Sequence, residues 1–232
     1  MNWKGHVILG LIMGLPFVSS PEQIFLIMSG ALYPDLDHGV KEDIVERGLY
    51  FAGFIIFISL LSYFFKPEYF NIGIFIGGVL LFLLLFVPYK AEHRGITHTI
   101  IWMVISTVVL GYLMSGLSIL SPTIAGLIIL IMVTDSNILG KIIPIGVFLY
   151  IPIYFLLSFN LQIATFEGIW KYIIPIGIGY LSHIVGDCLT PAGCRALYPF
   201  NNYKFHNIEG YIFITLWFFA VIYLVLNRIN II

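Results

Sequence analysis

Seven stretches of this chain are apolar over the length of a membrane-crossing helix or close to it: 49–65, 70–88, 98–115, 122–139, 142–158, 172–187 and 211–226. Crossing the hydrocarbon takes about 20 mostly apolar residues, and a backbone in lipid must satisfy its own hydrogen bonds, which leaves helices as the one solution for segments like these. Several of the stretches are short, which fits a thin bilayer or burial between neighbouring helices. Two shorter segments precede them, 7–17 and 24–33, joined by Ser19-Ser20-Pro21. Each is too short for a comfortable crossing, so they are expected to form a tilted or re-entrant helical hairpin. The expected fold is therefore all-α: a polytopic transmembrane helical bundle of about seven spans plus a short N-terminal helical hairpin. With no internal repeat and no low-complexity linker, residues 1–232 are expected to be a single membrane domain.

Composition agrees. The chain is 60 % hydrophobic and 10 % charged, against about 45–50 % apolar and about 25 % charged in soluble domains. Its net charge of −1 gives no electrostatic basis for nucleic-acid binding, and no nucleic-acid partner is expected. The start, MNWKGHVILGLIMGLPF, has the outline of a signal peptide but lacks a small-x-small cleavage site and carries His6 in its apolar stretch, so it is expected to be retained. Cys188 and Cys194 flank a Thr-Pro turn. Two cysteines imply no disulfide framework. Free thiols are the plainest expectation, and a redox bridge or a contribution to a metal site stay open.

The polar residues are distributed unevenly. If the helices alternate in direction, the Tyr33–His38 segment, Glu92–His98, Thr134–Asn137, and His183 with Asp187 all reach one side of the membrane, and His6 starts from the same side. Of the eleven Lys and Arg, Lys4, Lys41, Arg47, Lys90, Arg94, Lys141, Arg195 and Lys204 fall on that side, and Lys66, Lys171 and Arg228 on the other. The positive-inside bias makes the polar side cytoplasmic in a plasma (inner) membrane.

His183 and Asp187 are four apart, so on a helix they differ by only ~40° around the axis and lean over one patch. Ionisable groups in a span are costly unless paired, hydrated or bound to metal. A hydrogen-bonded interhelical pair is the plain alternative to a metal site. His93 and His98 would lie roughly 140° apart on a continuous helix. They can face one point if His93 sits in a loop and His98 opens the helix, with Gly95 permitting the turn. Asp35, Asp37 and His38 follow Pro34 and combine hard oxygens with an imidazole. The candidate metal ligands are His6, Asp35, His38, His93, His98, His183 and Asp187. Asp37 and Arg94 are expected to act in the reaction itself, with Arg94 or Arg195 placed to clamp a phosphate. The set is too large for one structural ion and suits two or three divalent cations sharing carboxylates, zinc first, with manganese or magnesium as alternatives. No phosphate-binding glycine loop and no Gly-x-Ser-x-Gly elbow is present. A hydrolytic metal site, with water activated by metal, is the best chemical match.

Gly30-Ala31-Leu32-Tyr33-Pro34-Asp35-Leu36-Asp37-His38, His93-Arg94-Gly95-Ile96-Thr97-His98-Thr99, and Gly179-Tyr180-Leu181-Ser182-His183 continuing through Asp187, Thr190-Pro191, Gly193 and Tyr198-Pro199-Phe200 resemble the YdjM-like membrane-bound metal-dependent hydrolases. The likeness covers most of the chain. It implies a distant relation to zinc-dependent phospholipase C and the fungal single-strand nucleases, helical enzymes in which His-x-x-x-Asp pairs hold a zinc cluster that cleaves phosphoesters. It implies metal roles for Asp35, His38, His93, His98, His183 and Asp187, and leaves the substrate open. The expected function is a membrane-embedded hydrolase cleaving phosphoester bonds of a lipid or lipid-linked substrate. The competing classes are a metal-ion or proton transporter, which would carry ionisable residues at mid-depth or on both faces, and a non-catalytic membrane protein with a closed structural metal site.

Overall fold

The structure, a computed structural model, describes residues 1–38, 42–118, 121–134 and 166–228. Among these residues there are eight α-helices and no strand: α1 (Trp3–Gly14), α2 (Pro21–Leu32), α3 (Glu42–Phe65), α4 (Ile72–Lys90), α5 (Ile100–Leu117), α6 (Pro122–Val133), α7 (Phe166–Cys188) and α8 (Asn207–Arg228). Their starts are written locally. The Asn2 side chain accepts from the Gly5 N–H, that of Asn71 from Gly73 and Ile74, and that of Thr99 from Trp102. Pro21 and Pro122 occupy first-turn positions where a missing N–H costs nothing.

Four helices are long and apolar enough to cross a membrane: Asp43–Phe65, Ile72–Lys90, Ile100–Leu117 and Asn207–Leu224. They correspond to the expected spans 49–65, 70–88, 98–115 and 211–226. Among the described residues the candidate spans number four, against the expected seven. The stretch 142–158 lies outside the described residues, and the helix in 122–139 is described only as far as Val133. Helix α7 covers 172–187 but is not among the candidate spans.

The expected N-terminal hairpin is present. Gly10 of α1 lies against Ala31 and Ile27 of α2, and Gly14 against Ile27, so the two short helices run antiparallel in close contact. Helix α2 in turn lies parallel to α7. Gln23 Nε2 donates to the Lys171 carbonyl at one end (3.2 Å), and the Ala31 carbonyl accepts from His183 at the other (2.7 Å). Between these points the backbones nearly touch: a Cβ on Gly30 would run into the Ile176 carbonyl oxygen, and one on Gly179 into the Ile27 carbonyl oxygen. Small residues permit such approaches where lipid supplies no hydrophobic drive between helices. Helix α5 runs antiparallel to α7, with Gly111 against Ile169 and Ile173 and the Ile100 N–H donating to the Ala196 carbonyl just beyond the end of α7 (2.9 Å).

Helices α3 and α4 form an antiparallel pair, with Gly48 against Leu85 and Gly78 against Ile55. The Tyr33 hydroxyl donates to the Leu84 carbonyl (2.6 Å) and ties this pair to the end of α2. Helix α8 is held more lightly, through Gly210 against Leu189 and Trp217 Nε1 donating to the Met13 carbonyl (3.3 Å). The beginnings of α1 and α5 therefore meet the ends of α2 and α7 at one end of the bundle. The main core runs through Leu26, Tyr33, Trp102, Met114, Ile176 and Tyr180 beneath that end.

Candidate metal centre

Each functional side chain is delivered by the end of an element. His6 comes from the first turns of α1. Asp35 and Asp37 come from a 3-10 turn, Pro34–Asp37, that follows α2. His98 closes another 3-10 turn, Ile96–His98, just before Thr99 caps α5, so it lies outside the α5 span. His183 and Asp187 sit on the last two turns of α7. The side chains of His6, His98, His183 and Asp187 are all but fully buried, while that of Asp35 is 18 % exposed.

Three nitrogen and oxygen atoms face one another at the centre. His98 Nε2 and His183 Nε2 are 3.1 Å apart, and Asp187 Oδ2 lies 3.3 Å from the first and 3.5 Å from the second. Asp35 Oδ1 approaches the same two nitrogens at 3.8 and 3.6 Å. Asp187 Oδ2 is buried and makes no hydrogen bond of acceptable geometry, and neither does His6 Nδ1. These orphaned atoms fit a divalent cation. Ligand atoms around a tetrahedral zinc are roughly 3.3 Å apart, given metal–ligand bonds of about 2.0–2.1 Å. Three interlocking groups could hold an ion: Asp35, Asp37, His93 and His98; His6, Asp35 and His183; and His98, His183 and Asp187.

The imidazoles are oriented from behind. His183 Nδ1 faces the Ala31 carbonyl, and a backbone oxygen can only accept, so Nδ1 carries the proton and Nε2 is left free toward the centre. His98 Nδ1 faces Asp37 Oδ2 (3.3 Å) and the Thr97 hydroxyl (3.1 Å). His6 stacks on His183, with ring centroids 3.7 Å apart and planes at 11°, and its Nε2 is 3.6 Å from Asp187 Oδ1. The buried Tyr180 hydroxyl donates to the Thr97 carbonyl and fixes the 3-10 turn that carries His98.

Charge in this cluster is tightly coupled. Burial by itself would lower the pKa of His98, but hydrogen bonds to Asp35 and Asp37 and the charges of Asp37 and Asp187 raise it to about 9. Burial would raise the Asp37 carboxyl, and its hydrogen bonds with His98, His93 and Thr97 more than offset that and hold it below the usual carboxylate range.

Arg94 closes the cluster on one side. Its Nη2 donates to Asp187 Oδ1 (3.1 Å) and its Nη1 to the Thr190 hydroxyl (3.4 Å), with the side chain 25 % exposed. Its own backbone takes the left-handed conformation, φ 62°. The loop turn expected of Gly95 is thus made at Arg94. Gly95 is needed for close approach instead, since a Cβ there would fall 2.7 Å from the Glu92 oxygen.

The structure brings His6, Asp35, His93, His98, His183 and Asp187 together. His38 joins none of the three groups among the described residues. It is exposed, and its ring meets that of His93 edge-on at 5.0 Å. The turn ends at Asp37, and His38 follows it in an extended conformation. Cys188 and Cys194, for which free thiols are the plainest expectation, are joined by a disulfide. Sequence reasoning misses Thr97, Thr190 and the Ala31 carbonyl. The two threonines lie inside recognisable motifs, but a backbone oxygen has no signature in sequence.

Fold and site together define an integral membrane protein, helical throughout its described elements, whose buried His/Asp cluster could hold a metal ion. The chain belongs to the YdjM inner membrane protein family, whose model matches residues 1–231. No curated protein and no solved structure matches it.

Proposed function

We propose that this protein is a metal-dependent hydrolase that cleaves phosphoester bonds of a lipid or lipid-linked substrate at the membrane boundary. The observation that carries the proposal is the triangle of His98 Nε2, His183 Nε2 and Asp187 Oδ2, with sides of 3.1, 3.3 and 3.5 Å and one vertex lacking any hydrogen bond. His98, His183 and Asp187 would hold one cation, with Asp35 alongside. His6 and His93, grouped with Asp35 in two separate sets, give room for one or two more, zinc being the first choice for these donors. Cations bound there would supply an acidified water and electrostatic stabilisation of charge developing on the phosphoester oxygens. Arg94 brings a planar guanidinium to the edge of the same cluster, where a phosphoryl group competes with Asp187 for its N–H donors. The site lies at the helix ends, so an amphiphile could keep its tail beside the apolar helices while its headgroup meets the ligands.

The proposal keeps seven crossings, which support the convergence of all these ends on one side. Charge asymmetry favours a cytoplasmic site. The Cys188–Cys194 disulfide stands on the other side of that question, because disulfides persist mainly in oxidising compartments. Labelling with a membrane-impermeant maleimide, before and after reduction, of whole cells and inverted vesicles will decide between the faces.

The deciding experiment is elemental analysis of the detergent-purified protein beside His183→Ala and Asp187→Ala, followed by a phospholipid and phosphodiester hydrolysis screen. The expected result is at least one equivalent of zinc or manganese, lost in both variants together with hydrolysis. A folded wild type that stays free of metal after reconstitution would overturn the proposal and make the cluster a proton-carrying or purely structural element.

A further inference from the structure

Asp35 and Asp37 lie in one short turn, yet they meet opposite sides of His98. Asp35 Oδ1 approaches Nε2, the nitrogen that faces His183 and Asp187, whereas Asp37 Oδ2 approaches Nδ1 (3.3 Å). Asp37 is completely buried on its side chain. Its Oδ1 takes His93 Nδ1 at 2.9 Å, and its Oδ2 takes the Arg94 backbone N–H at 3.2 Å and the Thr97 hydroxyl at 2.5 Å. His98 Nδ1 shares its N–H between Oδ2 (3.3 Å) and the Thr97 hydroxyl (3.1 Å). Each carboxylate oxygen offers about two lone pairs: both on Oδ2 are taken, one on Oδ1 is taken by His93, and with a fully buried side chain no face is open to solvent.

From this geometry we infer that Asp37 is neither a metal ligand nor a proton-transfer group but the positioning residue of the centre. It places the proton on Nδ1 of His93 and His98, which leaves both Nε2 atoms free to accept a metal, that of His98 facing His183 and Asp187, and it clamps the left-handed turn at Arg94 through that residue's N–H. Thr97 extends the clamp. Its hydroxyl donates to Asp37 and accepts from His98 Nδ1, so one side chain locks acid and imidazole together. The inference rests on the metal-site reading above. It divides the two aspartates of the Pro34–Asp37 turn between one that faces the ions and one that orients the ligands.

The test compares Asp37→Asn with Asp35→Asn, using zinc alone as the probe. Stoichiometry is read at saturating zinc and affinity by competition with a chromogenic chelator. Asp37→Asn is expected to bind as many equivalents as the wild type with roughly 10–100-fold weaker affinity, the usual cost of losing an outer-shell partner. Asp35→Asn is expected to lose an equivalent or part of one. If Asp37→Asn loses an equivalent while the remaining sites keep wild-type affinity, Asp37 is a ligand. If neither number moves, it positions nothing. Should Asp37→Asn fail to fold, Thr97→Val and Thr97→Ser ask the same question. Valine should weaken binding at unchanged stoichiometry, and serine should restore it; equal affinity in both would also overturn the inference. A wild type that binds no zinc refutes the underlying metal reading separately, before any variant is compared.

Discussion

Helices α7 and α8 are neighbours in the chain and nearly equal in length, 23 and 22 residues, yet opposite in character. Helix α7 buries Tyr172, Ile176, Tyr180, His183 and Asp187 and touches α2 backbone to backbone at Gly179. Helix α8 has 6 % of its most apolar window buried and presents Ile208, Tyr211, Leu216 and Phe219 outward. By length and apolarity α8 is a candidate span and α7 is not. The contrast locates specification in such a protein. A helix facing lipid needs apolarity and little else, because the tails are as apolar as the side chains. A helix at the centre must satisfy buried polar groups and fit its neighbours, and it gives up hydropathy to do so.

The largest effect bearing on this contrast comes from the helix crossing. Gly179→Leu should abolish a folded, monodisperse protein, exceeding the ~1–3 kcal/mol of ordinary overpacking because the obstacle is the Ile27 carbonyl rather than a movable side chain. Leu216→Ala in α8 should stay within about 0.5 kcal/mol by thermal unfolding in detergent. Similar melting temperatures for the two variants would contradict the division.

Next comes pH. In the metal-free protein the His98 pKa is raised from 6.5 to about 9. The stability it contributes is therefore fully present below pH 6.5 and lost as pH climbs through about 9, a change of up to about 3 kcal/mol. Metal binding must expel that proton, so zinc affinity should rise over the same window. Thermal melts with chelator and titrations with zinc should show opposite slopes; a flat melt series would mean that His98 is not held protonated by its aspartates.

Arg94→Gln should leave the zinc stoichiometry unchanged and weaken inhibition or binding by inorganic phosphate about tenfold, or about 1.4 kcal/mol. Loss of zinc instead would make the Arg94–Asp187 contact a structural one. The smallest effect belongs to Trp217→Phe, which removes the α8 hydrogen bond to Met13 and keeps the ring near Phe17. It should cost about 0.5–1 kcal/mol, visible as a shift of a few degrees and no change in metal content.

Much of the site is legible in the chain itself. His183 and Asp187 share a helix face by arithmetic, and alternating helix directions carry the Tyr33–His38, Glu92–His98 and His183/Asp187 segments and His6 to one end, where the structure has them; Asp135 to Asn137 lie outside the described residues. Adjacency alone groups His38 with Asp35, and a turn ending at Asp37 undoes adjacency. The Asp35/Asp37 division is not legible either, since two carboxylates two residues apart on a tight turn diverge in a direction only their partners fix.

The class of fold and the pairing of His183 with Asp187 follow from the amino-acid order, because both depend on composition and on the fixed geometry of a helix: apolar runs of spanning length, and a four-residue interval that aligns two side chains. Packing settles the rest: which nitrogen of each histidine faces the centre, which aspartate stands behind it, and how Gly30 and Gly179 let two backbones meet. Those properties belong to pairs of segments far apart in the chain. The carbonyls, hydroxyls and close approaches that set them become neighbours only when the helices pack.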